Sequence, residues 1–479
     1  MNKREEPEGM FAMESLWEST VHIAGRKPAE GLYERDVVVI GAGMTGILTA
    51  WHLQRAGKRV AVLEAGRIGS GQTGRTTAKI TSQHGMIYSR LLREIGQKKA
   101  RLYAEANQKA IAAYERIIKE SGIDCDFVRL PAYLYSVLDR TGLCAEAAAA
   151  SALGIAAYEA GIRELPFATA GAVCFENQAQ FHPLKFIRAL AAKLEIYENS
   201  PVRSVGSRIV CTDRARFLTK SIVFATHYPL RDVPGFYFLR QHQERSYVVA
   251  LKGCEALHGM YYCVDAAGLS LRSAGDVLLL GGNAHRTGES RKGGAYGSLK
   301  AAACKFYPEA RIVHMWAAQD CMPHDGIPLI GRYSLWHPNW YVATGYGKWG
   351  MTSSMVAALL LTDMITGKRN PWENLFAPGR IRTETGGEKF RTDVKVSVDG
   401  LWKGLTRSRE RCRCGEGELQ ARCTHMGCKL VWNPHEKTWE CPCHGSRFDG
   451  RGRLLDGPAQ KPLSIRQKSI NKSAKPYDK

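Results

Sequence analysis

The sequence predicts an α/β chain, α+β overall, in which a nucleotide-binding domain comes early and a small metal-binding module comes late. Three observations carry this. A chain of 479 residues with 44% apolar content can bury a sizeable core and is long enough for two or three domains. An apolar strand, a Gly-x-Gly-x-x-Gly turn, a helix, a second apolar strand and an acid follow one another between residues 36 and 64. Near the other end, a Cys-x-His pair is answered by a Cys-x-x-His pair.

The first element is Asp36-Val37-Val38-Val39-Ile40, a short β-branched run of the kind a parallel strand buried on both faces requires. It feeds into Gly41-Ala42-Gly43-Met44-Thr45-Gly46, and a helical pattern runs on to Gly57. The strand Arg59-Val60-Ala61-Val62-Leu63 then ends at Glu64. Gly41 permits the tight turn, Gly43 lets backbone approach a pyrophosphate at the helix start, and Gly46 allows close helix packing. Glu64 is placed to accept hydrogen bonds from ribose hydroxyls. A glycine-rich surface turn would not need this order of strand, turn, helix, strand and acid. The fingerprint is that of a Rossmann-like fold, and it serves NAD and FAD alike.

The late element is Cys423-Thr424-His425-Met426-Gly427-Cys428 with Cys441-Pro442-Cys443-His444-Gly445-Ser446. Cys423, His425, Cys441 and His444 can hold a [2Fe–2S] cluster, with both cysteines on one iron and both histidines on the other. A Cys2His2 set also suits tetrahedral zinc. Against zinc stands the doubling of each half, since Cys428 and Cys443 are cysteines that a zinc ion does not need.

The segment after Glu64 decides between nucleotides by resemblance. Ala65-Gly66-Arg67-Ile68-Gly69-Ser70-Gly71-Gln72-Thr73-Gly74-Arg75-Thr76-Thr77-Ala78-Lys79 resembles the flavin loop of the D-amino-acid-oxidase-like superfamily, which contains glycine oxidase, sarcosine oxidase and related amine dehydrogenases. Ser221-Ile-Val-Phe-Ala225-Thr226-His227 is similar to its mid-chain strand, with His227 in place of a glycine. Asp325-Gly-Ile-Pro-Leu-Ile-Gly331 and Tyr341-Val-Ala-Thr344-Gly345-Tyr-Gly347-Lys348-Trp349-Gly350-Met351-Thr352 resemble its C-terminal flavin segments. The resemblance implies FAD, covalent or not, held at Gly41, Gly43, Met44, Thr45, Gly46, Glu64, Ala65, Arg67, Ser70, Thr73, Thr76, Thr77, Ala225, Thr226, Gly345, Gly347, Lys348, Gly350, Met351 and Thr352. It also implies a domain over residues 35–376 with an antiparallel-sheet substrate domain interleaved, after an N-terminal extension over 1–34. Helical stretches are expected over 100–114 and 144–159, and β-like runs over 133–138, 245–251 and 277–282. His182, His227, His242, His285, Tyr261 and Tyr262 are candidate substrate groups.

The cysteine-histidine stretch resembles the Rieske family in its respiratory type. That resemblance implies the four cluster ligands named above, a Cys428–Cys443 disulfide, and a small all-β domain over 391–479 behind a linker at 377–390. Ser446 sits where the family's serine bonds a bridging sulfide, and Gly457-Pro458-Ala459 is similar to the loop that covers the cluster. Imidazole ligands place such clusters at about −150 to +300 mV, against about −400 mV for plant-type ferredoxins. Phe448 stands where high-potential members carry a tyrosine, so the top of that range is not expected. Cys412 and Cys414 fall in a basic segment with a poor strand pattern, where incidental thiols are the simplest reading.

Composition excludes several classes. No run of apolar residues is long enough for a transmembrane helix, and Met1-Asn2-Lys3-Arg4-Glu5-Glu6 opens no secretory signal. Eight of the 14 cysteines are scattered singly, as in a cytoplasmic protein. The net charge of +21 invites nucleic acid, yet basic residues are spread along the chain without a nucleic-acid motif, so no nucleic-acid partner is expected. A Rieske oxygenase would need a histidine pair at i, i+4 or i+5, and none exists. The expectation is an FAD-dependent oxidoreductase that takes a hydride from a small amine or amino-acid derivative and passes electrons through a [2Fe–2S] cluster to an external one-electron acceptor. The alternatives are an oxidase that gives electrons directly to oxygen, and a redox sensor or electron carrier without a substrate.

Overall fold

The structure is a computed structural model that describes residues 14–289, 294–380, 383–406, 411–414 and 417–466. It divides into two compact units, one of residues 1–284 and 294–387, the other of 285–293 and 388–479. Residues 1–13 of the expected extension, and the side chains of Cys412 and Cys414, lie outside the described residues.

In the first unit, strands Gly31–Ile40 and Val60–Leu63 run parallel, with Val37 to Ile40 paired residue by residue with Val60 to Leu63. Ala215–Phe224 pairs on the other side of Gly31–Ile40, and His337–Thr344 follows it, both parallel. Leu329–Ser334 closes that edge antiparallel, and Glu195–Tyr197 closes the other. Residues 37–40 and 60–63 are all buried, which explains why their sequence is a continuous apolar run rather than an alternation. The helix Met44–Arg55 follows at once. A Cβ on Gly46 would lie 1.8 Å from the Gly41 carbonyl oxygen, so only glycine lets this helix start so close to its strand.

A second sheet, nine-stranded among the described residues, runs in the order Arg311–Pro323, Gln241–Lys252, Val277–Arg286, Ser270–Ala274, Met260–Cys263, Val128–Ser136, Gly171–Gln180, Lys79–Ile80, with Ala157–Ala160 as the ninth strand, off this path and paired with Gly171–Gln180. Its described pairings are mostly antiparallel, and Met260–Cys263 pairs parallel with Val128–Ser136. Along Gln241–Lys252 the faces alternate. Val248 and Ala250 pack with Ile47, Leu48 and Leu360 of the nucleotide-binding helices, whereas Tyr247, Val249 and Leu251 join a separate core with Leu299. The even-numbered face therefore looks toward the expected flavin segments. The expected helix over 100–114 lies within Tyr88–Ser121, whereas that over 144–159 is corrected, since the helix Thr141–Ala152 stops at its C-cap Leu153 and Ala157–Ala160 is a strand paired with Gly171–Gln180. An unforeseen short helix, Leu16–Thr20, is closed by a capping box of Ser15 and Glu18 and buries Trp17.

The second unit holds a three-stranded sheet of Arg411–Cys414, Gly417–Gln420 and Ile465–Arg466, and a four-stranded antiparallel sheet of Val431–Asn433, Thr438–Glu440, Arg447–Asp449 and Leu454–Asp456. Arg411–Cys414 is thus a regular strand despite its pattern. Arg447, 4% exposed along its side chain, is held by Glu436, Glu440 and Asp456, so this buried cation is fully paired. The stretch 377–390 is not wholly a linker, because the helix Thr383–Thr406 begins inside it. Gly400 and Gly404, one turn apart, let that helix close on the metal loops. A Cβ on Gly400 would lie 2.4 Å from Cys443 Sγ, and one on Gly404 would lie 2.1 Å from the Gly427 carbonyl oxygen.

Candidate functional site

The two metal loops are built on one backbone plan. Cys423 N–H donates to the Cys428 carbonyl at 2.9 Å and Gly427 N–H to the Cys423 carbonyl at 2.9 Å. In the other loop Cys441 N–H donates to Ser446 at 2.9 Å and Gly445 N–H to Cys441 at 3.0 Å. Gly427 and Gly445 both hold positive φ, 88° and 89°, which a side chain would strain. The plan brings the His425 and His444 rings to 5.1 Å between centroids and buries Cys423 and Cys441 in one small cluster. Two cysteine sulfurs and two imidazoles are the donor set of a [2Fe–2S] cluster, and the residues fit it. The bond shared with Cys441 and burial push the Cys423 thiol up, so iron must displace that proton to bind.

Around the ligands, Ser446 Oγ contacts the Cys423 thiol and accepts the Ala459 N–H at 3.0 Å, which ties in the 457–459 loop. Thr424 Oγ1 donates to the Lys461 carbonyl at 2.7 Å. Phe448 is fully buried in the same small core as Cys423, Cys428, Cys441 and Cys443. The expected disulfide is corrected, since Cys428 and Cys443 are free cysteines. The sulfurs of Cys428, Cys441 and Cys443 lie within 4.8 Å of one another.

At the nucleotide fingerprint, Met44 N–H donates to Thr73 Oγ1 at 2.9 Å, so the 65–79 loop folds back over the helix start. Gly43 is the N-cap of Met44–Arg55, and Trp349 that of Gly350–Thr366; neither helix start is capped by a side chain of its cap residue. Such starts suit ligand oxygens. Glu64 accepts the Ala42 and Gly66 N–H groups, each at 2.8 Å, and burial pushes its carboxyl up against these donors. Thr45 Oγ1 contacts Tyr346 Oη and Ser354 Oγ, both at 2.9 Å, joining the two helix starts. Ser70 Oγ donates to the Arg67 carbonyl, and the Thr76 carbonyl accepts Trp17 Nε1 at 2.6 Å. Ala225 N–H donates to the Ile40 carbonyl, Thr226 Oγ1 to that of Tyr228, and Gly347 N–H to that of Cys321 at 3.0 Å. His227 holds φ +64°, which shows why the family places glycine there. The chemistry of the set fits FAD.

A charged group gathers beside the second helix start. Glu244 and Asp320 are direct cross-strand partners, so their side chains share the sheet face that looks toward the nucleotide-binding helices. Lys348 Nζ reaches Glu244 at 2.7 Å, and His242 Nε2 lies 3.3 Å from the same carboxylate. Burial would raise Glu244, but His242 and Lys348 outweigh it and hold the carboxyl at about 2. Asp320 is pushed up to about 6, chiefly by burial, with Lys348 opposing and Glu244 assisting. Tyr262 meets Trp349 edge-on at 5.1 Å, and Trp349 stacks on His84 at 4.9 Å. Sequence reasoning missed Glu244 and Asp320. Its available signal was the polar run from Gln241 to Ser246 at the head of an otherwise apolar strand.

The candidate substrate groups separate. His242 and Tyr262 join the charged group. Tyr261 stacks on Tyr133 in the other core and bonds Glu164, and His182 caps the helix Pro183–Ala191. His285 falls in the second unit, with Nδ1 near the Arg286 carbonyl. Burial depresses His84 to about 3 and His52 and His182 to about 4. Each folded value lies below the unfolded value near 6.5, so the unfolded chain binds more protons as pH falls below 6.5. Stability is therefore lost on acidification from about 6.5 toward 4, by about 3 kcal/mol for His84 alone. Denaturant midpoints at pH 7 and pH 4.5 check this, and His84→Gln should flatten the difference.

A family model described as FAD dependent oxidoreductase matches residues 36–364, and the Rieske [2Fe-2S] domain model matches 405–469. The chain is 36% identical to the putative Rieske 2Fe-2S iron-sulfur protein YhfW of Bacillus subtilis (strain 168), over 94% of this chain and 97% of that one. A cytochrome b6-f complex iron-sulfur subunit of Nostoc is 47% identical over 22% of this chain and 69% of its own. Among solved structures, glycine oxidase from Geobacillus kaustophilus matches with TM-score 0.62 at 20% identity, covering 73% of this chain and 99% of that one. L-Amino acid deaminase from Proteus vulgaris matches with TM-score 0.59 at 16% identity, covering 75% and 100%. The nucleotide fingerprint, the paired metal loops and these matches agree that the chain belongs to the FAD-dependent oxidoreductase family and carries a C-terminal Rieske [2Fe–2S] domain, with FAD and the cluster as its cofactors.

Proposed function

We propose that the protein oxidises a small amine or amino-acid derivative in an oxidoreductase domain over 35–376, and that electrons leave through a Rieske domain over 391–479 to an external one-electron acceptor. The cofactors supply hydride acceptance from a C–N carbon and one-electron transfer. The observation that supports the substrate class is the Glu244–Asp320 pair at the 350–366 helix start, because two carboxylates on one sheet face suit a cationic amine. Glu244, ionised by Lys348 and His242, holds the ammonium end. Asp320, near 6, accepts the ammonium proton at its carboxylate oxygen and so leaves a neutral amine. Tyr262 and Trp349 wall the site with rings and exclude water.

Asp320→Asn keeps the shape but removes the proton acceptor. Its kcat/KM for the amine should fall by about 10²–10⁴-fold and lose its rise with pH around 6. Anaerobic flavin bleaching across pH 5 to 8 checks this. A variant that keeps the wild-type rate and pH profile contradicts the role.

Direct transfer to oxygen is the second reading, favoured by the fold shared with glycine oxidase. No helix among the described residues is long and apolar enough to cross a membrane; a cytoplasmic setting is supported by the singly scattered cysteines.

A further inference from the structure

The second unit contains, besides residues 388–479, the segment His285–Gly293, which the Rieske family match at 405–469 does not include. Arg286 of that segment is 9% exposed along its side chain, and its guanidinium is spent on the Cys441–His444 ligand loop. Nε donates to the Pro442 carbonyl at 2.8 Å, Nη2 to the Cys443 carbonyl at 3.0 Å, and Nη1 to the Asp393 carboxylate, itself 10% exposed. These are the carbonyls of the two residues between the ligands Cys441 and His444. The loop's internal hydrogen bonds use the Cys441 and Ser446 carbonyls instead. Gly288 comes equally close. Its N–H donates to Glu440 Oε2 at 3.1 Å, and at φ +82° a Cβ would lie 2.7 Å from Pro442 N.

We propose that Arg286 is a positioning residue for the cluster, fixing the Cys441–His444 loop through two backbone carbonyls and, as an ion pair with Asp393, setting the cluster's reduction potential. A guanidinium is a planar fork that stays charged at every working pH, so it grips two carbonyls and contributes a fixed positive charge. Reduction adds one electron to the cluster, and a nearby cation favours the reduced form while Asp393 opposes it. The two members of the pair therefore act on the potential with opposite signs. Removing the arginine also takes their side-chain donor from the Pro442 and Cys443 carbonyls.

The inference rests on the cluster being held by Cys423, His425, Cys441 and His444, not on the substrate class. The test uses the full chain with both cofactors, measuring iron and acid-labile sulfide per chain and an EPR-monitored redox titration. Arg286→Ala should lower the midpoint, leaving about tenfold less reduced relative to oxidised cluster at the wild-type midpoint poise, a shift of about 59 mV for one electron. Asp393→Asn should shift it upward. Arg286→Lys keeps the charge without the fork, so its midpoint should stay nearer wild type than that of Arg286→Ala while its iron content falls. If Arg286→Ala purifies without iron, Asp393→Asn and Arg286→Lys decide. Shifts of the same sign in Arg286→Ala and Asp393→Asn, no upward shift in Asp393→Asn, or an Arg286→Lys midpoint no nearer wild type than Arg286→Ala overturns the proposal. A cluster lost from a Cys441→Ser control but unmoved in potential and content by all three variants overturns it equally, while leaving the ligand assignment intact.

Discussion

Cys441→Ser should abolish turnover with an artificial one-electron acceptor while leaving anaerobic flavin reduction by substrate within about twofold of wild type. The serine removes a thiolate from the ligand set, and a Rieske centre does not tolerate that loss as it would a change beyond its ligands. The fingerprint turn and the Glu244–Asp320 pair lie in the other unit, whose core clusters are formed by its own residues. Hydride transfer needs only substrate and flavin. Rates with oxygen and with the one-electron acceptor, on both proteins, separate the two readings of electron exit. Wild-type turnover of the variant with both acceptors would remove the cluster from the path.

The second large effect is expected at Gly46. An added methyl would sit 1.8 Å from the Gly41 carbonyl oxygen and 3.0 Å from its carbon, and both obstacles are backbone. The helix Met44–Arg55 can move only by shifting Leu48 and Leu53, which are fully buried. Overpacking of this kind costs about 3 kcal/mol or more and displaces the helix start from the pyrophosphate. Gly46→Ala should therefore purify with little FAD and a lowered thermal midpoint. Gly297→Ala, in a helix where a Cβ meets nothing within 4 Å, is the control and should be neutral or slightly stabilising. Full flavin occupancy in Gly46→Ala would contradict the placement of the turn.

The two cofactor sites were legible because each is local in sequence. Gly41, Gly43 and Gly46 are read from spacing, since the turn, the approach and the packing fall within six residues. Cys423, His425, Cys441 and His444 are read the same way, and the matching backbone hydrogen bonds of their loops show why the spacing recurs. What was not legible depends on pairing across the chain. Glu244 and Asp320 meet only through the register of strands 241–252 and 311–323, which no local pattern states. The helix Thr383–Thr406 was hidden because a Gly-Gly pair and polar residues at 383–388 resemble a linker. Gly400 and Gly404 become intelligible only once Cys443 and Gly427 are seen beside them. The disulfide came from the family pattern alone, and both cysteines are free in the structure.

The most direct test of amine oxidation coupled to the cluster is an anaerobic titration of the oxidised full-length protein with candidate amines, followed by absorption and EPR together. Flavin bleaching accompanied by a reduced Rieske signal, with the signal absent and the bleaching retained in Cys441→Ser, is the predicted result. Flavin that stays oxidised with every amine, or that bleaches completely in the wild type while the cluster stays oxidised, would contradict it.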